Sequence, residues 1–339
     1  MKLTFSIFLS FIFLSCNPSN KTPLVVYSPH GKDMLQEFAK RFEKTHPDVD
    51  VQWLDMGSQD AYDRIRTEKE NPQADVWWGA PSTMFIRAAK ESLLAAYKPT
   101  WADDVAPENK SAHDFWYGTF ATPEVIAFNS RLLSAAQAPK DWDDLLDPRW
   151  KGKIILRYPL ASGTLRIIFS SIIARSVKAY GTGKEGFEWL QRLDANTEAY
   201  TPDPTQMYLR LAREEAEVTL WDMPDIVFQA EINHYPFGYN FPKSGTVSLT
   251  DGIAIVRGCK HEKLAEEFYE FVTSKESLIL QARKFYRIPA RGDIPRDSLP
   301  SWITSTHFTS MPIDWSLISQ HESEWMEKWD AEVKGKGNR

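Results

Sequence analysis

Leu24-Val25-Val26-Tyr27 is an unbroken apolar run of strand length, stopped by Ser28-Pro29-His30-Gly31. Immediately after it, Leu35, Phe38, Ala39 and Phe42 recur at intervals of three and four. That spacing predicts a helix over residues 32–45, ended by His46-Pro47. Alternation over residues 49–54 predicts a second strand, and residues 61–69 a second helix. Ala74-Asp75-Val76-Trp77-Trp78 predicts a third strand leading into Gly79-Ala80-Pro81. Strands and helices alternating in this way predict an α/β fold whose parallel sheet is connected by crossover helices. Ligands of such sheets lie beyond the carboxyl ends of the strands, which here are Ser28 to Gly31, Gly57-Ser58 and Gly79 to Ser82.

The pattern starts afresh at residues 120–129, where Val125-Ile126-Ala127-Phe128 reads as a strand. Ile154-Ile155-Leu156 predicts another, and the loop over residues 158–163 opens a helix over 164–179. Apolar periodicity continues at 187–193 and 207–213, with a strand at 218–221. Residues 247–256, containing Asp251-Gly252, read as the return crossing. Amphipathic helices over 263–274 and 276–285 are then expected to pack back on the first unit. The division is therefore one lobe of residues 24–120 plus 251–339 and a second of residues 121–250, with crossing strands at the ends of the second.

The start of the chain follows different rules. One lysine, Lys2, precedes a run from Leu3 to Leu14 broken only by Thr4, Ser6 and Ser10, which predicts an export signal over residues 1–15. Phe13-Leu14-Ser15-Cys16 resembles a bacterial lipoprotein box, with Phe13 where leucine is usual. It implies acylation of Cys16 and an anchored, extracytoplasmic protein; ordinary cleavage near Ser15 is the alternative. Residues 16–23, polar and with two prolines, read as a tether. No later segment reads as a membrane span.

A net charge of −6 argues against a general nucleic-acid partner, which needs a basic stripe. The only cysteines are Cys16 and Cys259, so an acylated Cys16 leaves no disulfide framework. Cys259-Lys260-His261 falls short of the four ligands of a structural metal site, and neither a metal nor a cofactor is expected. The 13 tryptophans exceed what a core alone calls for, so some are candidates to line a cleft.

From Ala74 to Pro81, followed by Glu91-Ser92-Leu93-Leu94, the chain resembles the type II periplasmic solute-binding proteins of ABC importers. It is similar to their ferric-iron, phosphonate and sugar-phosphate branch. Val26 to Gly31, Pro148-Arg149-Trp150-Lys151-Gly152-Lys153, Ala161-Ser162-Gly163-Thr164 and Ala265 to Thr273 carry the same resemblance. It implies two α/β lobes with a ligand clamped in the cleft between them, a permease as partner and a monomer. Ferric-binding members of the branch are expected to carry a carboxylate at the place of Ala80 and a tyrosine pair near Trp221-Asp222-Met223. Fe(III) wants anionic oxygen ligands, so bare iron is the alternative and a small organic anion the leading expectation.

Ser162, Gly163 and Thr164 stand at the start of a predicted helix, where free N–H groups, hydroxyls and the helix dipole suit phosphate, phosphonate or carboxylate. A plain N-cap is the competing reading. Asp222 either accepts from a ligand hydroxyl or amine or caps the helix after Pro224. His30 and Ser28 belong to the first strand-end loop; for His30 a surface position competes with a ligand contact. Of Trp77 and Trp78, which alternate faces, one is assigned to the core and Trp78 is the cleft candidate. Asp251, on a central strand, needs a partner, either the ligand or a hinge N–H. An exported enzyme on the same scaffold is the rival class, but no histidine stands in a nucleophile motif and no Gly-x-Ser-x-Gly occurs. A purely structural lipoprotein is the remaining class.

Overall fold

The computed structural model describes residues 21–337. The expected export signal, Cys16 and most of the expected tether lie outside the described residues. The chain runs β1 (Thr22–Ser28), α1 (Lys32–Thr45), β2 (Val49–Asp55), α2 (Ser58–Thr67), β3 (Val76–Pro81), α3 (Ser82–Lys90) and the short β4 (Leu94–Ala95). The long β5 (Tyr117–Asn129) carries it into β6 (Ile154–Arg157), α4 (Gly163–Tyr180), α5 (Lys184–Asn196), β7 (Thr197–Thr201), α6 (Pro204–Ala212), β8 (Val218–Asp222), α7 (Met223–Glu231) and β9 (Phe237–Asn240). It returns through β10 (Ser248–Val256) to α8 (Glu262–Val272), α9 (Lys275–Phe285), β11 (Ile288–Pro289), α10 (Ser301–Ser305) and α11 (Trp315–Glu332).

The strands follow the order β2-β1-β3-β10-β5-β8-β6-β7. β1 pairs in parallel with both β2 and β3, as the alternation predicts. In β5 the partner changes midway. Tyr117 to Pro123 pair antiparallel with β10, whereas Glu124 to Phe128 pair antiparallel with β8. β5 and β10 are thus the two strands that cross between lobes, and Glu124 is the first residue past the changeover.

Each lobe has its own packing. In the first, Leu24, Val26, Phe38, Trp78 and Phe268 form the core on one side of the sheet, and Tyr27, Tyr62, Trp77 and Phe85 that on the other. A parallel sheet covered on both faces buries both of two successive residues. That is why Trp77 and Trp78 are both fully buried. Trp77 stacks on Phe85 at 4.2 Å, and Trp78 meets Phe38 edge-on at 5.6 Å. Trp78 is therefore a core residue, not the cleft residue that strand alternation alone makes it.

The second lobe packs around Val125, Ile155, Leu156, Phe169, Leu220 and Met223. Helix α11 joins this cluster through Ile318, Met326 and Trp329, with Trp329 5.4 Å from Phe169. First-lobe packing, expected for the whole of residues 251–339, thus stops short of the last helix, whose apolar stripe matches the face left open on α4. Its other side reaches back to α3. Thr83 donates to Glu322 at 3.4 Å, and Arg87 lies 3.8 Å from the same carboxylate. Both are first-lobe residues, so α11 straps one lobe to the other.

Candidate functional site

A cavity of about 420 Å³ lies between the lobes at the carboxyl ends of the strands. Pro29-His30 ahead of α1, Gly57-Ser58 at α2, Ser162-Gly163 at α4, Asp203-Pro204 at α6 and Asp222 at α7 all line it. Five helices therefore point their amino ends at one space, and each contributes a partial positive charge and unpaired N–H groups.

At the second-lobe end, Ser162 is the N-cap of α4, its Oγ accepting from Leu165 N at 3.2 Å. The cap is real, and it leaves the hydroxyl proton available to a ligand. A Cβ added to Gly163 would lie 2.8 Å from the Pro81 ring and 3.1 Å from Ser58 Oγ. The two lobes touch at Gly163, and Thr164 lines the cavity next to it. Arg157, at the end of β6, is buried; its Nη2 donates to Ala161 O at 3.2 Å, while its Nε has no partner among the described residues. Burial lowers its pKa, against the pull of nearby Asp60. Arg166 turns the other way, donating to Leu160 O at 3.0 Å and sensing Glu322 and Arg87.

At the hinge side the groups are carboxyls. Asp222 caps α7, with Oδ1 accepting from Asp225 N at 2.9 Å. Its capping and ligand roles are compatible, because a carboxylate has a second oxygen. Arg287 pairs with Asp225 at 2.8 Å and lies 3.9 Å from Asp222. Asp251 stands at an irregularity in the pairing of β10, which breaks the alternation there. Burial, opposed by Arg287 and aided by Asp225, pushes its carboxyl up to about 7. Glu124 is fully buried, and its Oε2 has no partner among the described residues. Burial and then the charges of Asp222, Asp251 and Asp225 raise it far above the usual carboxylate range.

His30 lines the cavity and is buried, with Nε2 unpartnered among the described residues. Burial, then Arg287, hold it well below its ordinary pKa and so neutral. Its ring lies 4.8 Å from Phe120 and 5.3 Å from Trp78. A Cβ on Gly79, whose φ is +97°, would come within 2.3 Å of that ring, so only glycine permits the approach. Ser28 is buried behind the loop, its Oγ accepting from His30 N at 3.3 Å, and does not line the cavity. Ser28 and Trp78 therefore support His30 from behind and take no place in the cavity wall. Ala80 is buried in the first-lobe core and does not line the cavity. Cys259 is half-buried on the far side of the lobe, its thiol pushed up to about 11, a value that leaves it unreactive.

Glu124, Arg157, Asp225 and Arg287 are among the cavity residues missing from the sequence reading. Two carry a local signal, a charge inside or ending an apolar strand: Glu124 before Val125 to Phe128, and Arg157 after Ile154 to Leu156. Arg287 and Asp225 carry none. They reach the cavity only through packing.

The carboxyls raised by burial give a pH prediction for the protein without ligand. Folded pKa values above the unfolded ones contribute stability that is complete below the ordinary carboxylate range and lost as pH rises through the folded values. The melting temperature is therefore expected to fall between about pH 5 and pH 8, and Asp251→Asn to flatten that fall, by scanning calorimetry. A melting temperature that rises over this range relative to that of Asp251→Asn would show Asp251 to be ionised and well paired; the contribution of His30, held neutral by burial and growing with pH, is common to both proteins.

Compared with known proteins, residues 28–278 match the bacterial extracellular solute-binding protein family. The chain belongs to this family. It is 26% identical to a probable ABC transporter periplasmic-binding protein of Sinorhizobium fredii, over 98% of this chain and 93% of that one. A Salmonella typhimurium protein named for 2-aminoethylphosphonate binding is also 26% identical, over 87% of each chain. The fold matches the periplasmic binding protein AfuA of Actinobacillus pleuropneumoniae, solved with fructose-6-phosphate, at a TM-score of 0.81 and 24% identity, covering 92% of this chain and 99% of that one. This solute-binding protein has the two-lobed type II fold and is the substrate-binding component of an ABC importer. Such a component works outside the cytoplasm, taking up a small molecule and handing it to a permease.

Proposed function

We propose that this solute-binding protein captures a small organic anion, phosphorylated or phosphonate-bearing. The anionic group lies at the start of α4, among Ser162, Gly163, Thr164 and Arg157, and the rest of the solute extends towards Asp222. The observation that carries the reading is Arg157. A buried guanidinium with one carbonyl acceptor and an unpaired Nε is costly unless a counter-charge arrives. The amino ends of α2, α4 and α6 surround it, so an anion there gains both a charge partner and free N–H groups. The names of two relatives, for aminoethylphosphonate binding and for a sugar-phosphate complex, agree with this chemistry. No turnover is called for; closure of the lobes over the solute is the signal a permease reads.

Calorimetry against phosphonates, sugar phosphates and neutral sugars tests the reading, after native mass spectrometry of the purified protein has shown what it already holds. Phosphonates or sugar phosphates are expected to bind at least about a hundredfold more tightly than neutral sugars, as for a site built around a buried charge. Tight binding of an uncharged sugar with none of an anion would overturn the proposal.

The protein is also proposed to act as a monomer anchored by lipid at Cys16. Cys16→Ser is expected to move it from the membrane fraction to the soluble one. A variant still in the pellet would refute the anchor while leaving export untouched.

A further inference from the structure

Across the sheet, adjacent strands bring to the cavity Asp251 on β10, Glu124 on β5, Asp222 on β8 and Arg157 on β6, in that order. Neighbouring strands are about 4.8 Å apart, so Glu124 and Arg157, two strands apart, are separated by roughly 10 Å at the backbone. A solute of a few atoms, with a hydrogen bond at each end, spans that distance. Arg157 stands at one end of this line, near Asp60 and Asp203 but with its Nε unpartnered among the described residues, and the cluster of Glu124, Asp222 and Asp251 stands at the other.

The carboxyl end holds more carboxyls than the protein itself can pair with cations. Glu124, Asp222, Asp225 and Asp251 influence one another there, and the cation among them is Arg287. That guanidinium is already committed to Asp225 at 2.8 Å. His30 is neutral, and Tyr208, donating to Asp225 at 3.3 Å, brings no positive charge. Asp55, at the end of β2, adds a further carboxyl to the wall. The second observation is separate from this count: Glu124 is 1% exposed, lines the cavity, and has an oxygen with no partner among the described residues. Such a group either keeps a proton or waits for a cation.

We propose that Glu124, with Asp222 and Asp251, forms a cation subsite, so that the solute is a zwitterion whose ammonium group lies among these carboxyls and whose capture expels a proton from them. This rests on the anion reading above and extends it to the other end of the solute. The proton balance is simple. The ammonium arrives charged and keeps its protons, the carboxyl it meets ionises, and that carboxyl's proton passes to the solvent. A hydroxyl-bearing solute would bring no charge, so a protonated Glu124 could accept from it without losing its proton.

The test is calorimetry near pH 7 in two buffers of different ionisation enthalpy. The probes are aminoalkylphosphonates, alkylphosphonates of equal length without the amine, a hexose phosphate, and simple alkylamines. The expected result is tighter binding of the aminoalkylphosphonate than of its amine-free counterpart, on the order of a hundredfold. About one proton per molecule bound is expected to be released. Glu124→Gln keeps the shape, and should remove most of both effects, so that amine-bearing and amine-free phosphonates bind that variant with similar affinity. Asp251→Asn, folded by the same thermal scan, provides a second variant. Equal affinity with and without the amine, or a preferred hexose phosphate bound with no proton release, would overturn the cation subsite and leave the anion site standing. Alkylamines that bind with proton release while no phosphonate binds would do the reverse. Failure of every amine-bearing probe to bind overturns the proposal.

Discussion

Gly163→Asp is expected to weaken binding of phosphonates and sugar phosphates by about 3–5 kcal/mol, the range for a buried charge left without its partner. This corresponds to roughly a thousandfold in the dissociation constant. Two effects act together. The new carboxylate would occupy the amino end of α4, where the anion's charge belongs. Its Cβ would also press on Pro81 at 2.8 Å, holding the first lobe away from the second. Gly163→Ala separates them, because it keeps the steric push without the charge. If Gly163→Asp binds as wild type does, the start of α4 is only a capped helix end and Arg157 serves some other partner.

Glu322→Ala is expected to destabilise the protein by about 3–5 kcal/mol, the cost of removing one partner from a buried ion pair. Glu322 is 1% exposed, and Arg87 and Arg166 both feel its charge. Without it, the buried Arg166 and the partly buried Arg87, from different lobes, confront one another. Because α11 packs on the second-lobe core while Thr83 and Arg87 belong to the first, the loss should also loosen lobe against lobe. Urea unfolding followed by tryptophan fluorescence measures the stability, and small-angle scattering the spread of the lobes. A variant within about 0.5 kcal/mol of wild type, the scale of an ordinary surface substitution, would mean that the strap bears no load.

Much of the fold is legible in the sequence. The stripe Leu35, Phe38, Ala39, Phe42 predicts residues 32–45, and the helix found is Lys32–Thr45. β1, β2, β6, β8 and β10 each lie within a residue or two of where their apolar runs place them. The sequence pattern does not mark helix α3, because it follows β3 directly. Nor does it mark helix α11, since polar residues interrupt its apolar stripe. Trp78 is in the core and not in the cleft that the pattern suggests, because alternation distinguishes the two faces of a strand but not whether both are covered.

The cavity divides along the same physical line. Ser162, Gly163, Thr164, His30 and Asp222 stand at strand ends or helix starts, and local sequence marks such places through glycine, serine, aspartate and proline. Local chemistry thus determined the alternation of elements, the family resemblance and the strand-end loops at which a ligand belongs. The pairing of Arg287 with Asp225, the burial of Arg157 and the crowding of Glu124 against Asp222 and Asp251 come from segments far apart in the chain. Only tertiary structure decided these, because burial and charge proximity depend on which strands become neighbours, and no local pattern encodes the distance between two of them.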